Sequence, residues 1–104
     1  MTEARWKKRE RILAEHLKGS RIPSSGRAKR DIETPYPLCV EVKDRNVVGR
    51  WLVDAVEQAE MDAEEMEIPL AIIHQKGWQY PRDLVVMKFK YFKYLLERLN
   101  DKGE

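Results

Sequence analysis

Apolar residues along this chain follow two periods, and the switches between them mark out its elements. Over residues 4–18, Trp6, Ile12, Leu13 and Leu17 recur at helical spacing, and Gly19 stands where a helix commonly stops. The next stretch, "GSRIPSSGRAKR" (19–30), carries Gly, Pro and Ser punctuation and predicts an exposed loop. Two strands are expected at about 31–34 and 38–43, joined by "PYP", whose prolines suit a tight connection and not a central ladder. Within "LCVEVK" the period is two: Leu38, Val40 and Val42 share one face, and Cys39, Glu41 and Lys43 the other. A second helix is expected over 50–67, where Leu52, Ala55, Val56, Ala59, Ala63 and Met66 recur at steps of three and four before Pro69. "PLAIIHQ" (69–75) reads as a buried strand, "KGWQYPRD" as a turn, "LVVMKF" (84–89) as a further strand and "KYFKYLLERL" as a closing helix. The order predicts an α/β domain, a mixed central β-sheet flanked by helices.

Composition sharpens this picture. A chain of 104 residues, 42% hydrophobic and 37% charged, fits one globular domain spanning 1–104, with a polar tail at about 100–104. Its core is modest, so self-association is expected. No apolar run approaches the roughly 20 residues that span a bilayer, so no membrane role is expected. The basic start, "MTEARWKKRERIL", lacks the apolar segment and cleavage site of a signal peptide, which leads to an intracellular location. Cys39 is the single cysteine, and His16 and His74 stand apart, which excludes a disulfide framework and zinc spacing. The net charge of +2 conceals a polarity: residues 1–50 hold 13 Lys/Arg against 7 Asp/Glu, whereas residues 51–104 hold 7 against 11. The basic excess of the first half, concentrated around "RAKR", is the footprint of a polyanion partner.

Charge inside a strand points to chemistry. Glu41 and Lys43 lie about 6 to 7 Å apart on one side of the strand, at roughly 3.3 Å per residue. Should the two strands pair as a hairpin, the Asp31 carboxylate falls beside Glu41, and two such carboxylates repel unless a cation lies between them. All-oxygen ligation suits a hard ion such as Mg2+. Such an ion beside a lysine ammonium is a hydrolytic phosphodiesterase set.

These residues resemble the PD-(D/E)XK nuclease superfamily, and within it the archaeal-type Holliday junction resolvases and their small phage relatives. The resemblance is carried by helix "KRERILAEHL", the loop "RIPSSG", Asp31, "VEVK", the helix with "QAE", "PLAIIHQKG" and "DLVVMKFKYF", in that order over residues 5–92. It implies a restriction-endonuclease-like αβββαβ core. It also implies that Glu10, Asp31 and Glu41 supply carboxylates to a metal site, with the Val42 backbone carbonyl as a further ligand and Lys43 as the catalytic lysine. Arg11 and Arg21 match phosphate-contacting positions, and Ser24, Ser25 and Gly26 match a serine-glycine loop near the DNA; Arg27, Lys29 and Arg30 extend its basic surface. Gln58 resembles a glutamine that supports the site from the second helix. The proline of the family motif is absent, since Arg30 precedes Asp31. Glu15 is a rival for Glu10, and Glu33, which shares a face with Asp31, is a rival for it.

The function implied is a Mg2+-dependent endodeoxyribonuclease, with Mn2+ as substitute, that resolves four-way junctions as a homodimer in a prokaryotic cytoplasm, host- or phage-encoded, without organic cofactor. Two sites are needed for two symmetric cuts, and one short chain holds one. Two alternatives stand beside it: another structure-selective or nicking nuclease of a phage or mobile element, and a non-catalytic DNA-binding module.

Overall fold

The computed structural model describes residues 3–23 and 30–102. The chain is mixed α/β, with three α-helices and two small antiparallel sheets. It divides into two compact units, Met1–Asn46 and Val47–Glu104.

In the first unit, α1 (Arg5–His16) leads into β1 (Ser20–Arg21), which pairs antiparallel with β2 (Ile32–Glu33) in the register Ser20↔Glu33 and Arg21↔Ile32. The helix buries Glu10, Ala14 and, just past its end, Leu17, against Ile32, which is fully buried. That face differs from the expected stripe: Trp6 is exposed at its edge and Ile12 and Leu13 are half-buried. The reason is that Trp6 supports cations, with the Arg21 guanidinium over its ring at 5.2 Å and Lys7 Nζ at 5.3 Å.

Gly19 closes the end of α1, as expected. The left-handed residue is Lys18, at φ 59°. The Gly19 N–H donates to the Ala14 carbonyl (2.9 Å) and the Lys18 N–H to that of Glu15 (3.1 Å), the paired bonds of a Schellman motif. Glycine is required at 19 for space, because a Cβ there would stand 1.8 Å from the Glu33 carbonyl oxygen.

The expected strand over 38–43 is reduced to one antiparallel bridge, Val40 with Ile32. Beyond it the ladder is replaced by side chains. The Val42 N–H donates to Asp31 Oδ2 (2.6 Å), and Arg5 clasps Asp44 through Nε (2.8 Å) and one terminal amino group (2.9 Å). Three alternate residues, 40, 42 and 44, are thereby fixed, and the predicted alternation holds: Leu38, Val40, Val42 and Asp44 are half-buried while Cys39, Glu41 and Lys43 are exposed.

In the second unit, α2 (Arg50–Asp62) ends five residues before the expected position. Ala63 is extended, Met66 is left-handed at φ 74°, and Glu64 and Glu67 close a turn on each other, the Glu64 N–H donating to Glu67 Oε1 (2.7 Å). Met66, expected on the apolar stripe, is therefore exposed. The run of Glu64, Glu65 and Glu67 repels at helical spacing, and Pro69 disfavours helix before it. β3 (Ala71–Ile73) pairs antiparallel with β4 (Leu84–Val86) in the register Ala71↔Val86, Ile72↔Val85 and Ile73↔Leu84. The intervening turn is tied by His74 Nδ1 to Asp83 Oδ1 at 2.7 Å. β3 was expected to be buried, but Ile72 and its partner Val85 are exposed. The closing helix, α3 (Phe89–Lys102), is linked to α2 by Lys88 Nζ on Glu60 Oε1 (2.7 Å) and by Tyr91 Oη on Glu60 Oε2 (3.4 Å). Val56 of α2 and Leu96 of α3 are buried apolar residues of this unit. In place of one mixed sheet, the short strands form two separate antiparallel pairs. Among the described residues, no helix is long and apolar enough to cross a membrane.

Candidate functional site

Pairing decides which side chains can meet. Residues directly opposite in an antiparallel pair share a face. Arg21, Ile32 and Val40 therefore lie on one side of the first unit's ribbon, the side that α1 covers, as the burial of Ile32 beneath Glu10, Ala14 and Leu17 requires. The bridge is isolated: the Asp31 N–H donates to the Val40 carbonyl (2.8 Å) and the Asp31 carboxylate accepts from the Val42 N–H (2.6 Å), which holds Asp31 against the segment that carries Glu41. Cys39, Glu41 and Lys43 alternate onto the exposed side of that segment.

Asp31 is thus held against the segment that carries Glu41, with Lys43 two residues beyond. Asp31 is half-buried, and one of its oxygens is already an acceptor for the Val42 N–H. Glu41 and Lys43 are exposed. Glu10 is elsewhere: it is buried (7% exposed), and its Oε1 accepts a hydrogen bond from Arg21 Nε at 2.8 Å on the helix-facing side. Among the described residues, no three Asp, Glu, His or Cys side chains gather closely enough to hold a metal ion.

The donor chemistry remains that of a hard cation. Asp31, Glu41 and the Val42 carbonyl are all oxygen donors, and Mg2+ keeps several waters while using one or two carboxylates. A water-rich site on Asp31 and Glu41 is chemically coherent, and Glu10 as described does not join it.

The basic residues are distributed unevenly. Arg11 projects from the exposed side of α1, where Glu3 (Nη2 to Oε1, 3.1 Å) and Glu15 (Nη1 to Oε1, 3.5 Å) hold it. That hydrogen bond lowers the Glu3 pKa and raises that of Arg11. Glu15, the rival for Glu10, is exposed and occupied by Arg11. Arg30 is exposed, with Nη1 3.4 Å from the Leu38 carbonyl. Ser24, Ser25, Gly26, Arg27 and Lys29 lie outside the described residues. Gln58 belongs to the second unit, where its Nε2 donates to Asp62 at 3.1 and 3.2 Å.

Two contributors were not foreseen from the sequence. Arg5 anchors Asp44, the residue following Lys43, by a two-pronged contact, which holds the end of the Glu-x-Lys segment. That contact lowers the Asp44 pKa. Trp6 stacks on Arg21, and the signal was its four-residue spacing from Glu10 on one helix face. Comparisons with protein-family models, with curated proteins and with solved structures find no match for this chain.

Proposed function

We propose that this chain is a metal-dependent DNA endonuclease on a restriction-endonuclease-like core, which resolves four-way junctions by symmetric phosphodiester hydrolysis as a homodimer. The observation that supports the proposal is the bond from the Val42 N–H to Asp31 Oδ2, which holds Asp31 against the segment whose Glu41 and Lys43 are exposed. The basic excess of residues 1–50 supports a polyanionic substrate.

Asp31, Glu41 and the Val42 carbonyl would hold Mg2+ or Mn2+. The bound ion would supply charge for the transition state and acidify a water. Lys43 donates hydrogen bonds to the attacking water or to the non-bridging phosphate oxygen on which charge develops. Arg21 and Arg30 bind neighbouring phosphates and fix the register of the strand, contacts that recognise shape and backbone and not base sequence. Arg11 can contribute only by giving up Glu3 and Glu15. Two copies supply the two sites that paired incisions need.

One observation favours a second possibility, a non-catalytic DNA-binding module: no three metal-ligating side chains gather among the described residues. A cleavage panel separates the two. Four-way junction, flap, nicked and linear duplex DNA are incubated with the chain, with and without Mg2+ or Mn2+. Cutting of the junction alone, lost by about 100-fold or more in Glu41→Ala and Lys43→Ala with DNA binding retained, supports the enzyme. Equal rates on all four substrates sink junction resolution, and no cutting by the unaltered chain with either metal favours the module.

A further inference from the structure

We infer that Glu10 is not a metal ligand but, together with Trp6, the clamp that holds Arg21 in place as a phosphate-binding side chain. The inference rests on the nuclease proposal for its substrate, while it removes Glu10 from the expected ligand set.

A carboxylate as buried as Glu10 is costly unless a partner compensates it, and Arg21 Nε at 2.8 Å is that partner. The guanidinium also lies over the Trp6 ring at 5.2 Å. Trp6 and Glu10 are one helical turn apart on α1, so a single rigid element supplies both contacts. The contact with Glu10 uses Nε, the inner edge of the group. The terminal amino groups form the planar fork that matches two phosphate oxygens. The Arg21 side chain is 20% exposed, so part of it remains open to solvent. An arginine held by stacking and one ion pair has already lost its rotamer freedom, so binding a phosphate costs less than at a free surface arginine.

The ribbon's two sides exclude Glu10 from a shared ion. Glu10 meets Arg21 on the side covered by α1, whereas Glu41 and Lys43 lie on the exposed side of their segment and Asp31 Oδ2 is taken by the Val42 N–H. To join them, Glu10 would have to abandon Arg21 and leave a half-buried guanidinium without its counter-charge.

The test uses the full chain and a fluorescent four-way junction in EDTA, titrated over a series of salt concentrations. Arg21→Ala is expected to weaken binding about tenfold and to reduce the slope of log affinity against log salt by about one, as loss of one phosphate contact does. Glu10→Gln should weaken binding several-fold, and the double variant should bind within twofold of Arg21→Ala, because Glu10 acts through Arg21. In parallel, Mn2+ binding is followed by calorimetry. Glu10→Gln should retain the affinity of the unaltered chain within twofold, whereas Glu41→Gln should lose it. Arg21→Lys, which keeps the charge and loses the fork, should bind DNA with an intermediate affinity, and serves as the readout should Arg21→Ala fail to fold. A tenfold fall in Mn2+ affinity in Glu10→Gln, with DNA affinity unchanged, overturns the inference. Additive effects of the two substitutions on DNA binding overturn it too and leave the nuclease proposal standing. An unaltered chain that binds no DNA overturns both.

Discussion

Replacing Gly19 by alanine should be the most damaging single-methyl change in the first unit. The added Cβ would stand 1.8 Å from the Glu33 carbonyl oxygen, 2.8 Å from its carbon and 2.9 Å from the Thr34 Cα. All three are backbone atoms, so no side-chain rotation relieves the contact. They are also held from behind. Glu33 is paired with Ser20, and the Thr34 hydroxyl donates to the Leu17 carbonyl at 2.6 Å. Relief requires the end of α1 and β2 to separate by more than an ångström, since unbonded heavy atoms settle at about 3.5 Å or beyond. Overpacking of this kind costs about 1 to 3 kcal/mol, and loss of one or two hydrogen bonds adds about 1 kcal/mol each. Glycine-to-alanine entropy in the unfolded chain returns about 0.4 to 1 kcal/mol. The net expectation is destabilisation by about 2 to 4 kcal/mol. Urea unfolding read by circular dichroism, with amide exchange at Ile22 and Asp31 to localise the effect to the β1–β2 ladder, measures it. A Gly19→Ala variant within 0.5 kcal/mol of the parent, with unchanged exchange at those amides, would refute the close approach of the helix end to β2.

Lys18→Gly should act in the opposite direction. Lys18 holds the left-handed conformation that costs non-glycine residues about 1 to 2 kcal/mol, and the unfolded-chain entropy of a new glycine takes back about 0.4 to 1 kcal/mol, so thermal unfolding should show a gain of about 0.5 to 1 kcal/mol. In the second unit, the hydrogen bond from Lys88 holds the Glu60 carboxyl below its ordinary pKa, and Glu60 raises that of Lys88. The Glu60 contribution is complete above the ordinary carboxylate range and lost as the pH falls through its depressed value. The Lys88 contribution is complete below the ordinary lysine range and lost as the pH rises through its raised value. Carboxyl titration by NMR should find Glu60 more acidic than in Lys88→Met, and an unchanged midpoint would refute the pairing.

What the sequence disclosed follows from which properties are local. The alternation of residues 38–44 is a backbone property, so the exposed Glu41 and Lys43 were legible although only Val40 makes a bridge. The extent of the strand was not, because Asp31 and Arg5 side chains replace ladder bonds at 42 and 44, and spacing does not encode a side chain taking the place of a strand. At the end of α1 the glycine was read as the stop, which it follows; that Lys18 takes the left-handed conformation and that Gly19 answers a clash are visible only once β2 is placed. The end of α2 was misplaced because Pro69 is an obvious breaker and the repulsion among Glu64, Glu65 and Glu67 acts before it. Glu10 was expected as a metal ligand from the family resemblance; in the structure it pairs with Arg21, eleven residues away on another element, a partner that could not be chosen from sequence.

The bond from the Val42 N–H to the Asp31 carboxylate bears on how any loss-of-function series should be interpreted. Asp31 carries an architectural duty on one oxygen, and the proposed metal would call on the same carboxylate. An inactive Asp31 variant is therefore ambiguous as genetics, since a detached Glu-x-Lys segment and a missing ligand give the same phenotype. Glu41 is exposed on the facing segment, with its neighbours Val40 and Val42 fixed independently, which makes it the cleaner knockout and the better residue on which to select suppressors.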